Sequence, residues 1–500
     1  MDAMLRMWLS WSPLALALLS ILVIREIGRR HRKGHKLPPG PTPLPLIGNL
    51  HQVLSGMPHR CFASLAEKYG PIMTLRLGQT TTVVVSSPDM AREVLQKHDL
   101  AFSGRTVPDA LRTLGHSDLS VAWLPANQEW RNLRRITNTQ LFTTRRLDST
   151  KGLRAQKVRE LISYVSECCV SQKALNIGRL VSVTTLNLMS STIFSVDFAD
   201  LRSDSSPEVI ELIQDIMKAT AEPNLADFFP WLTVVGPLAQ RRRVTKSLKK
   251  LHDIFDEHVD RRLRGEDAKP HDDLLDTLLH GENMECMLDR LTRNAFFSDL
   301  FSAGTDTSSI TVAWAMAELL RNPELMAKVK EEIGRVIEPG KDVEESDVEK
   351  LQYLQAVIKE TFRLHPAAPF LLPHRAEKTV EVGDGYVVPE GTRVLVSNWA
   401  IGRDSRVWEE PEVFMPERFL KKDIDLRGHD FELTPFGSGR RICAGFPLAF
   451  RMVPLMLASL LRGFDWKLPE GMAPEDIDMR EALGLTMAMN VPLMAVPFAA

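Results

Sequence analysis

Cys443 lies in the run Phe436-Gly437-Ser438-Gly439-Arg440-Arg441-Ile442-Cys443-Ala444-Gly445, a glycine-rich basic loop leading into the apolar stretch Leu448 to Leu461. Pro447 at a first helical position marks where that helix opens. The glycines permit tight backbone paths beside the sulfur. Unpaired N–H groups at a helix start, the positive end of its dipole and the flanking Arg440 and Arg441 all favour S⁻ over S–H, so the sequence predicts a lowered thiol pKa. Such a thiolate is a metal ligand. A lone cysteine is more commonly a small buried hydrophobe, but a loop of glycines and cations is a poor place to bury one.

A second chemically unusual stretch is Ala303-Gly304-Thr305-Asp306-Thr307-Ser308-Ser309. It falls in the middle of a helix predicted from about Asp289 to Leu320, before Asn322-Pro323, which at 1.5 Å per residue runs roughly 48 Å. Glycine, threonine, serine and aspartate are weak helix formers, and hydroxyls bond back to carbonyls one turn earlier. The weakness, flanked by Phe296, Phe297 and Phe301 on one side and Ile310 and Trp314 on the other, reads either as a groove held open for a bound group or as a structural kink. A third element carries Glu360 and Arg363, three apart and so on one helix face. Ser346-Asp347-Val348-Glu349 reads as a capping box, with Leu351, Leu354, Ile358 and Phe362 following at helical spacing, so one amphipathic helix is predicted up to His365-Pro366.

The cysteine loop fits Phe-x-x-Gly-x-Arg-x-Cys-x-Gly and resembles the haem-thiolate loop of the cytochrome P450 monooxygenases. The resemblance extends over essentially the whole chain. It implies haem b (iron-protoporphyrin IX) held through Cys443, with Phe436 beside it. The mid-helix stretch matches the family's oxygen-binding motif. That implies that Asp306 and Thr307 form an acid–alcohol pair relaying protons to dioxygen, and that Gly304 leaves room for the ligand. Glu360 and Arg363 match Glu-x-x-Arg, and Pro416-Glu417-Arg418-Phe419 supplies its partner Arg418, a network bracing the haem loop. Trp130 and Arg134 match Trp-x-x-x-Arg. With Arg105, His374 and Arg441 they are the implied propionate contacts, the choice between His374 and Arg375 staying open. The implied fold is mainly α, a two-lobed helical domain with small β-sheets and an N-terminal membrane-anchor helix.

Composition is compatible with this and excludes some alternatives. The 500 residues carry a net charge of -2, which argues against a nucleic-acid partner, and no low-complexity linker divides the body. Five cysteines with no CxxC pair argue against a disulfide scaffold or a four-cysteine zinc site. Met7 to Ile24 is free of charge and long enough to span roughly 27 Å as a helix. Arg25, Arg29, Arg30, Arg32, Lys33 and Lys36 follow, which predicts a single-pass anchor at residues 1–24 with the body cytosolic. The division expected is anchor 1–24, a basic and proline-rich hinge 25–45, and a catalytic domain 46–500, at the endoplasmic reticulum membrane as in microsomal members of the family.

The chain has no Gly-x-Gly-x-x-Gly unit and no flavin motif, so electrons must come from a partner. The resemblance implies NADPH-cytochrome P450 reductase, with cytochrome b5 as a further donor, meeting Arg131, Arg135 and Arg440. The substrate segments implied by the family contain Phe296, Asp299, Phe301, Ala303, Phe370, Leu371 and Leu485, a lining suited to an apolar small molecule. Asp227-Phe228-Phe229-Pro230-Trp231 and Arg241-Arg242-Arg243 resemble the plant branch hydroxylating geraniol-type monoterpenols and labdane-related diterpenes. Alkaloid, phenolic or xenobiotic substrates are the alternatives. The basic run Arg241 to Lys250 reads as a lipid contact or a solvated helix face. A haem isomerase or dehydratase, or a non-catalytic haem carrier, are rival classes, and Thr307 argues against both.

Overall fold

The structure is a computed structural model describing residues 36–499 apart from 204, 237–238, 267–272 and 281–287. The expected anchor and most of the basic hinge lie outside the described residues. What is described of the hinge is fastened down rather than free: the Lys36 carbonyl accepts from Val387 N at 2.8 Å and the Pro39 carbonyl from Thr74 N at 2.8 Å.

The architecture is mainly helical with small sheets. In chain order the elements that shape the interior are β1 (Ile72–Leu77), β2 (Thr80–Val85), β3 (Gly104–Arg105), α1 (His116–Leu119), α2 (Gln128–Ile136), α3 (Ile177–Phe194), α4 (Glu208–Ala221), α5 (Ala239–Leu263), α6 (Arg290–Arg321), α7 (Gln352–Leu364), β4 (His374–Arg375), β5 (Arg393–Val396), α8 (Phe446–Gly463), β6 (Glu481–Leu483) and β7 (Met487–Met489). The main sheet has the order β1-β2-β5-β4-β3, antiparallel except where β2 runs beside β5. Val83 and Val85 enter one apolar cluster and Val84 another, the period-two alternation of a strand covered on both faces. At the sheet's far edge Arg105 is paired in register with His374.

The helix α6 runs through the body as the spacing predicts. Asp289 caps it, accepting from Leu291 N at 2.9 Å and Thr292 N at 3.0 Å. Its weak middle stays helical. The Thr307, Ser309 and Thr311 hydroxyls donate to the carbonyls of Ala303, Asp306 and Thr307 at 2.8 to 2.9 Å, so they are satisfied without breaking the ladder.

The single helix expected from Ser346 is two elements. Glu345–Val348 is a separate turn, and its capping box is Glu344 with Asp347. The helix α7 starts only at Gln352, where buried Glu332 accepts from Tyr353 N at 2.8 Å and Leu354 N at 3.0 Å. A carboxylate from a neighbouring helix thus does the work of a local cap. Among the described residues α8 alone is long and apolar enough to cross a bilayer, but 56% of it is buried inside the protein and it is a core helix.

Candidate active site

Between α6 and the loop preceding α8 lies a cavity of about 370 Å³. Its wall gathers Ala303, Gly304 and Thr307 from α6, Cys443, Phe436 and Arg441 from the loop, and Arg105, Trp130, Arg134 and His374 from three other segments.

The loop owes its path to local chemistry. Gly437 and Gly439 both take left-handed φ, 70° and 65°, and a Cβ on Gly439 would meet the Leu95 carbonyl oxygen at 2.1 Å. Cys443 N donates to the Phe436 carbonyl at 2.9 Å, closing the loop on itself. The Phe436 ring is wedged edge-on between Phe362 of α7 and Phe446 of α8, at 5.3 and 5.0 Å between centroids. Cys443 is exposed, but to the cavity that it lines. The expected lowering of its pKa is not what the protein alone delivers: burial pushes the thiol up, against the opposing pull of the Gly445 N–H, Arg134 and the Phe446 N–H. The flanking arginines are not among these: Arg440 pairs outward with Asp99 at 3.1 Å, and Arg441 donates to the carbonyls of Ser103 and Leu124. A positive ion at the sulfur is what would favour the thiolate.

Three guanidinium groups converge beside the cysteine. Arg105 donates to the Leu372 carbonyl at 2.7 Å, Arg134 to that of Ile442 at 2.5 Å, and Arg441 to those of Ser103 and Leu124 at 3.0 and 2.5 Å. None of the three forms an ion pair among the described residues. Burial lowers all three pKa values, that of Arg441 to about 10, and repulsion from neighbouring arginines adds to this at Arg105 and Arg441. Arg441 lies 4.5 Å over the Trp130 ring, and its buried Nη1 has no hydrogen-bond partner. Trp130 departs from expectation, since its indole N–H donates to the Val121 carbonyl at 3.1 Å. His374 is buried with Nδ1 2.7 Å from the Phe102 carbonyl, whereas Arg375 pairs with Glu377 at the surface. Burial, then Arg105, pushes His374 down to about 3. With Nδ1 donating, Nε2 can serve a carboxylate only by taking up a proton.

Glu360, Arg363 and Arg418 form the expected network. Arg363 makes a bidentate pair with Glu360 at 2.7 and 2.8 Å, and Arg418 Nε reaches the same carboxylate at 3.1 Å. Glu360 and Arg363 are fully buried, and Arg363 also donates to the carbonyls of Gly402, Pro411 and Val413.

On α6 the acid and the alcohol are apart. Thr307 lines the cavity, while the Asp306 carboxyl accepts from Thr486 in the turn between β6 and β7, and burial raises its pKa. Gly304 has a packing reason of its own, because an added Cβ would meet Met189 Sδ of α3 at 2.9 Å. Asp299 sits in the cavity wall, where burial raises its pKa to about 7. Ala303, Leu371 and Leu485 line the cavity as expected. Phe296 and Phe301 do not. Both are fully buried outside it: Phe301 stacks on Phe198 and Phe255 at 5.4 and 5.1 Å on the other side of α6, and the Phe296 ring lies 6.5 Å from that of Phe297. Phe370 is not in the wall either, but packs on Phe62 at 5.3 Å. Sequence reasoning missed His116 and Thr486, lining residues in a short helix and a turn, where no periodicity flags them. Three of the six cations in the run Arg241 to Lys250 are spent on ion pairs within the chain, Arg241 with Asp109, Arg243 with Asp215, and Lys250 with Glu208.

One soft ligand and a hollow of unpaired cations, one with an orphaned N–H, fit a group that brings a metal and two carboxylates, which is haem. A family model described as Cytochrome P450 matches residues 38–493. The chain is 49% identical over 468 residues to a geraniol 8-hydroxylase of Catharanthus roseus, covering 93% of this chain and 94% of the relative. It is 48% identical over 481 residues to the geraniol 8-hydroxylase of Swertia mussotii, covering 96% and 97%. A geranylhydroquinone 3''-hydroxylase of Arnebia euchroma is 48% identical over 473 residues, covering 93% and 95%.

Proposed function

The chain belongs to the cytochrome P450 family and is a haem-dependent monooxygenase, and on that premise we propose that it hydroxylates a plant terpenoid. The observation carrying this reading is a single cavity in which Cys443, the cationic cradle and Thr307 face one largely apolar space. Cys443 Sγ would hold the metal of a bound haem, and Arg105, Arg134 and Arg441 its carboxylates, with His374 joining them once protonated; the group would supply the activation of dioxygen needed to insert one oxygen atom into a C–H bond.

The chain's own residues do the rest. Thr307 presents a hydroxyl that donates to the Ala303 carbonyl at 2.8 Å and can redirect that proton from Oγ1 into the cavity. Asp306, one residue away, is the reservoir behind it. Its carboxyl is kept from the cavity by Thr486, so proton delivery includes a swing of Asp306 away from that partner. Leu371, Leu372 and Leu485 exclude water from the reacting carbon. Two of the relatives named above are hydroxylases of geraniol and one of geranylhydroquinone, which supports an isoprenoid substrate over an alkaloid.

Residues 1–24 and the basic cluster after them support a single-pass anchor in the endoplasmic reticulum membrane with the body cytosolic. NADPH-cytochrome P450 reductase, with cytochrome b5 as a second donor, would then approach in the same bilayer. Arg131 and Arg135 are exposed on α2, the helix whose Arg134 touches the cysteine loop, and are candidates to meet acidic partner residues. The test is co-expression with a plant reductase and a screen of terpenoids for hydroxylated product. NADPH-dependent product in the native protein and none in Cys443→Ser is the expected result. Product retained by Cys443→Ser would sink the assignment of the sulfur.

A further inference from the structure

The helix α6 carries two carboxyls at the cavity, and they are held in very different ways. Asp299 accepts from Ser120 Oγ at 2.9 and 2.7 Å and from Ala122 N at 3.3 Å, with His116 Nε2 at 3.5 Å from Oδ1. Burial pushes His116 down to about 4, so that ring is neutral near pH 7. Several bonds thus fasten Asp299 to one segment. Asp306 has a single tether. Among the described residues its carboxyl accepts from Thr486 alone, and no charged group acts on it. One hydroxyl bond is a modest hold, and it can be exchanged for other contacts.

Thr486 owes its place to the turn 484–486 between β6 and β7. Gly484 N donates to the Thr486 carbonyl at 2.8 Å and closes the turn on itself, so Leu485 and Thr486 move together. Below the turn the hairpin is firmly anchored. Buried Glu481, at the foot of β6, is bonded to His59 Nε2, Arg60 and Trp399 Nε1 at 2.9, 2.7 and 2.9 Å. The tip is tied by less: Leu485 N reaches the Met217 carbonyl at 3.3 Å, and Met487 N the Ala367 carbonyl at 2.9 Å. Leu485, Thr486, Met217 and Ala367 all line the cavity. The piece of wall that a bound molecule touches is therefore the piece that holds the acid.

We infer that Thr486 is a positioning residue that ties proton delivery to occupancy: a molecule packed against Leu485 displaces the β6–β7 turn and frees the Asp306 carboxyl to swing toward Thr307. The inference rests on the reading that this cavity takes the substrate and that Asp306 stands behind Thr307. Leu485 projects into space that a ligand takes, so a ligand favours the displaced turn, and without one the bond from Thr486 is kept. That difference between the two states is what an occupant needs in order to shift them. The competing account is that Thr486 merely satisfies an enclosed carboxyl, whatever the cavity holds.

Infrared difference spectroscopy of the purified holoenzyme separates the two. It is run in the acid range, where the Asp306 carboxyl is protonated, and its C=O band is identified as the one missing from Asp306→Asn. The probes are geraniol and naphthalene, each shown by equilibrium dialysis to be bound. A hydrogen bond to a carboxyl C=O lowers its stretching frequency, so either probe is expected to move the native band upward. In Thr486→Val the band should already lie at the higher frequency and ignore the probes, whereas Thr486→Ser, which keeps the donor, should restore the native response. A native band that stays in place with a probe bound overturns the inference, as does a probe-induced shift that persists in Thr486→Val. Should Thr486→Val not fold, the native response and Leu485→Ala decide, because shortening that side chain should shrink the shift. A shift with naphthalene but no turnover of any terpenoid would sink the terpenoid reading and leave this one standing; geraniol turned over with an unmoved band would do the reverse.

Discussion

Two clusters of enclosed arginines sit within this fold and are treated in opposite ways. Arg363 and Arg418 are closed by Glu360, and their remaining N–H groups go to carbonyls in the 402–413 segment, so the charge is matched inside the protein. Arg105, Arg134 and Arg441 face one another across the cavity with carbonyls but no carboxylate, and one N–H is left over. The first cluster is complete as folded; the second is complete only when something negative arrives. A buried charge that the fold pays to leave unmatched points to a ligand, whereas a matched one points to architecture.

Breaking the matched cluster is expected to have the largest effect. Glu360→Ala leaves two guanidinium groups without their shared carboxylate and should cost about 3–5 kcal/mol, most of a domain's stability. The expected outcome is little or no folded protein, seen as loss of cooperative urea unfolding. Recovery of a well-folded Glu360→Ala protein would erase the distinction drawn here.

The unmatched cluster should respond differently. Arg441→Leu removes a cation repelled by its neighbours, so the apoprotein should melt within a few degrees of the native one. Loss of haem to an acceptor globin should accelerate by roughly tenfold to a hundredfold, the worth of one hydrogen bond to a charged group. An Arg441→Leu protein that unfolds as readily as Glu360→Ala but keeps its haem would place Arg441 in the architecture. Thr307→Ala sharpens the contrast from the opposite wall of the cavity. Neither stability nor haem retention should change, while reductant consumption continues with hydrogen peroxide released in place of product. Tight coupling in that variant would remove Thr307 from proton delivery.

How far the sequence could be read follows the same division. Features that depend on near neighbours in the chain were legible: the tight path of the loop at Gly437 and Gly439, the start of α6 at Asp289, and the Glu360–Arg363 pair one turn apart. Residues whose roles depend on facing were not. The helix α6 is buried along most of its length, so it has no polar stripe to say that Ala303 faces the cavity while Phe301 faces the aromatic cluster around Phe194 and Phe255. Partners brought from afar were equally hidden. Glu332 capping α7, Thr486 holding Asp306 and Val121 taking the Trp130 N–H are all created by the fold rather than announced by spacing.

Asp299 is the converse of the unmatched arginines: a buried carboxyl held by neutral donors, with only a neutral histidine beside it. Its pKa is raised by burial from 3.8 to about 7 in the folded chain. Between those values the folded protein holds a proton that the unfolded chain has released. The stability conferred by the neutral carboxyl is therefore present in full below about pH 4 and is lost as pH rises through about 7, with a slope of at most about 1.4 kcal/mol per pH unit. Asp299→Asn keeps the acceptor for Ser120 and removes the titration. The difference in urea stability between native and variant proteins should thus grow in the variant's favour from pH 4 to pH 7 and level off above it. A difference that stays flat across that window would mean that the carboxyl is ionised throughout and matched by His116, which would move Asp299 into the same class as Glu360.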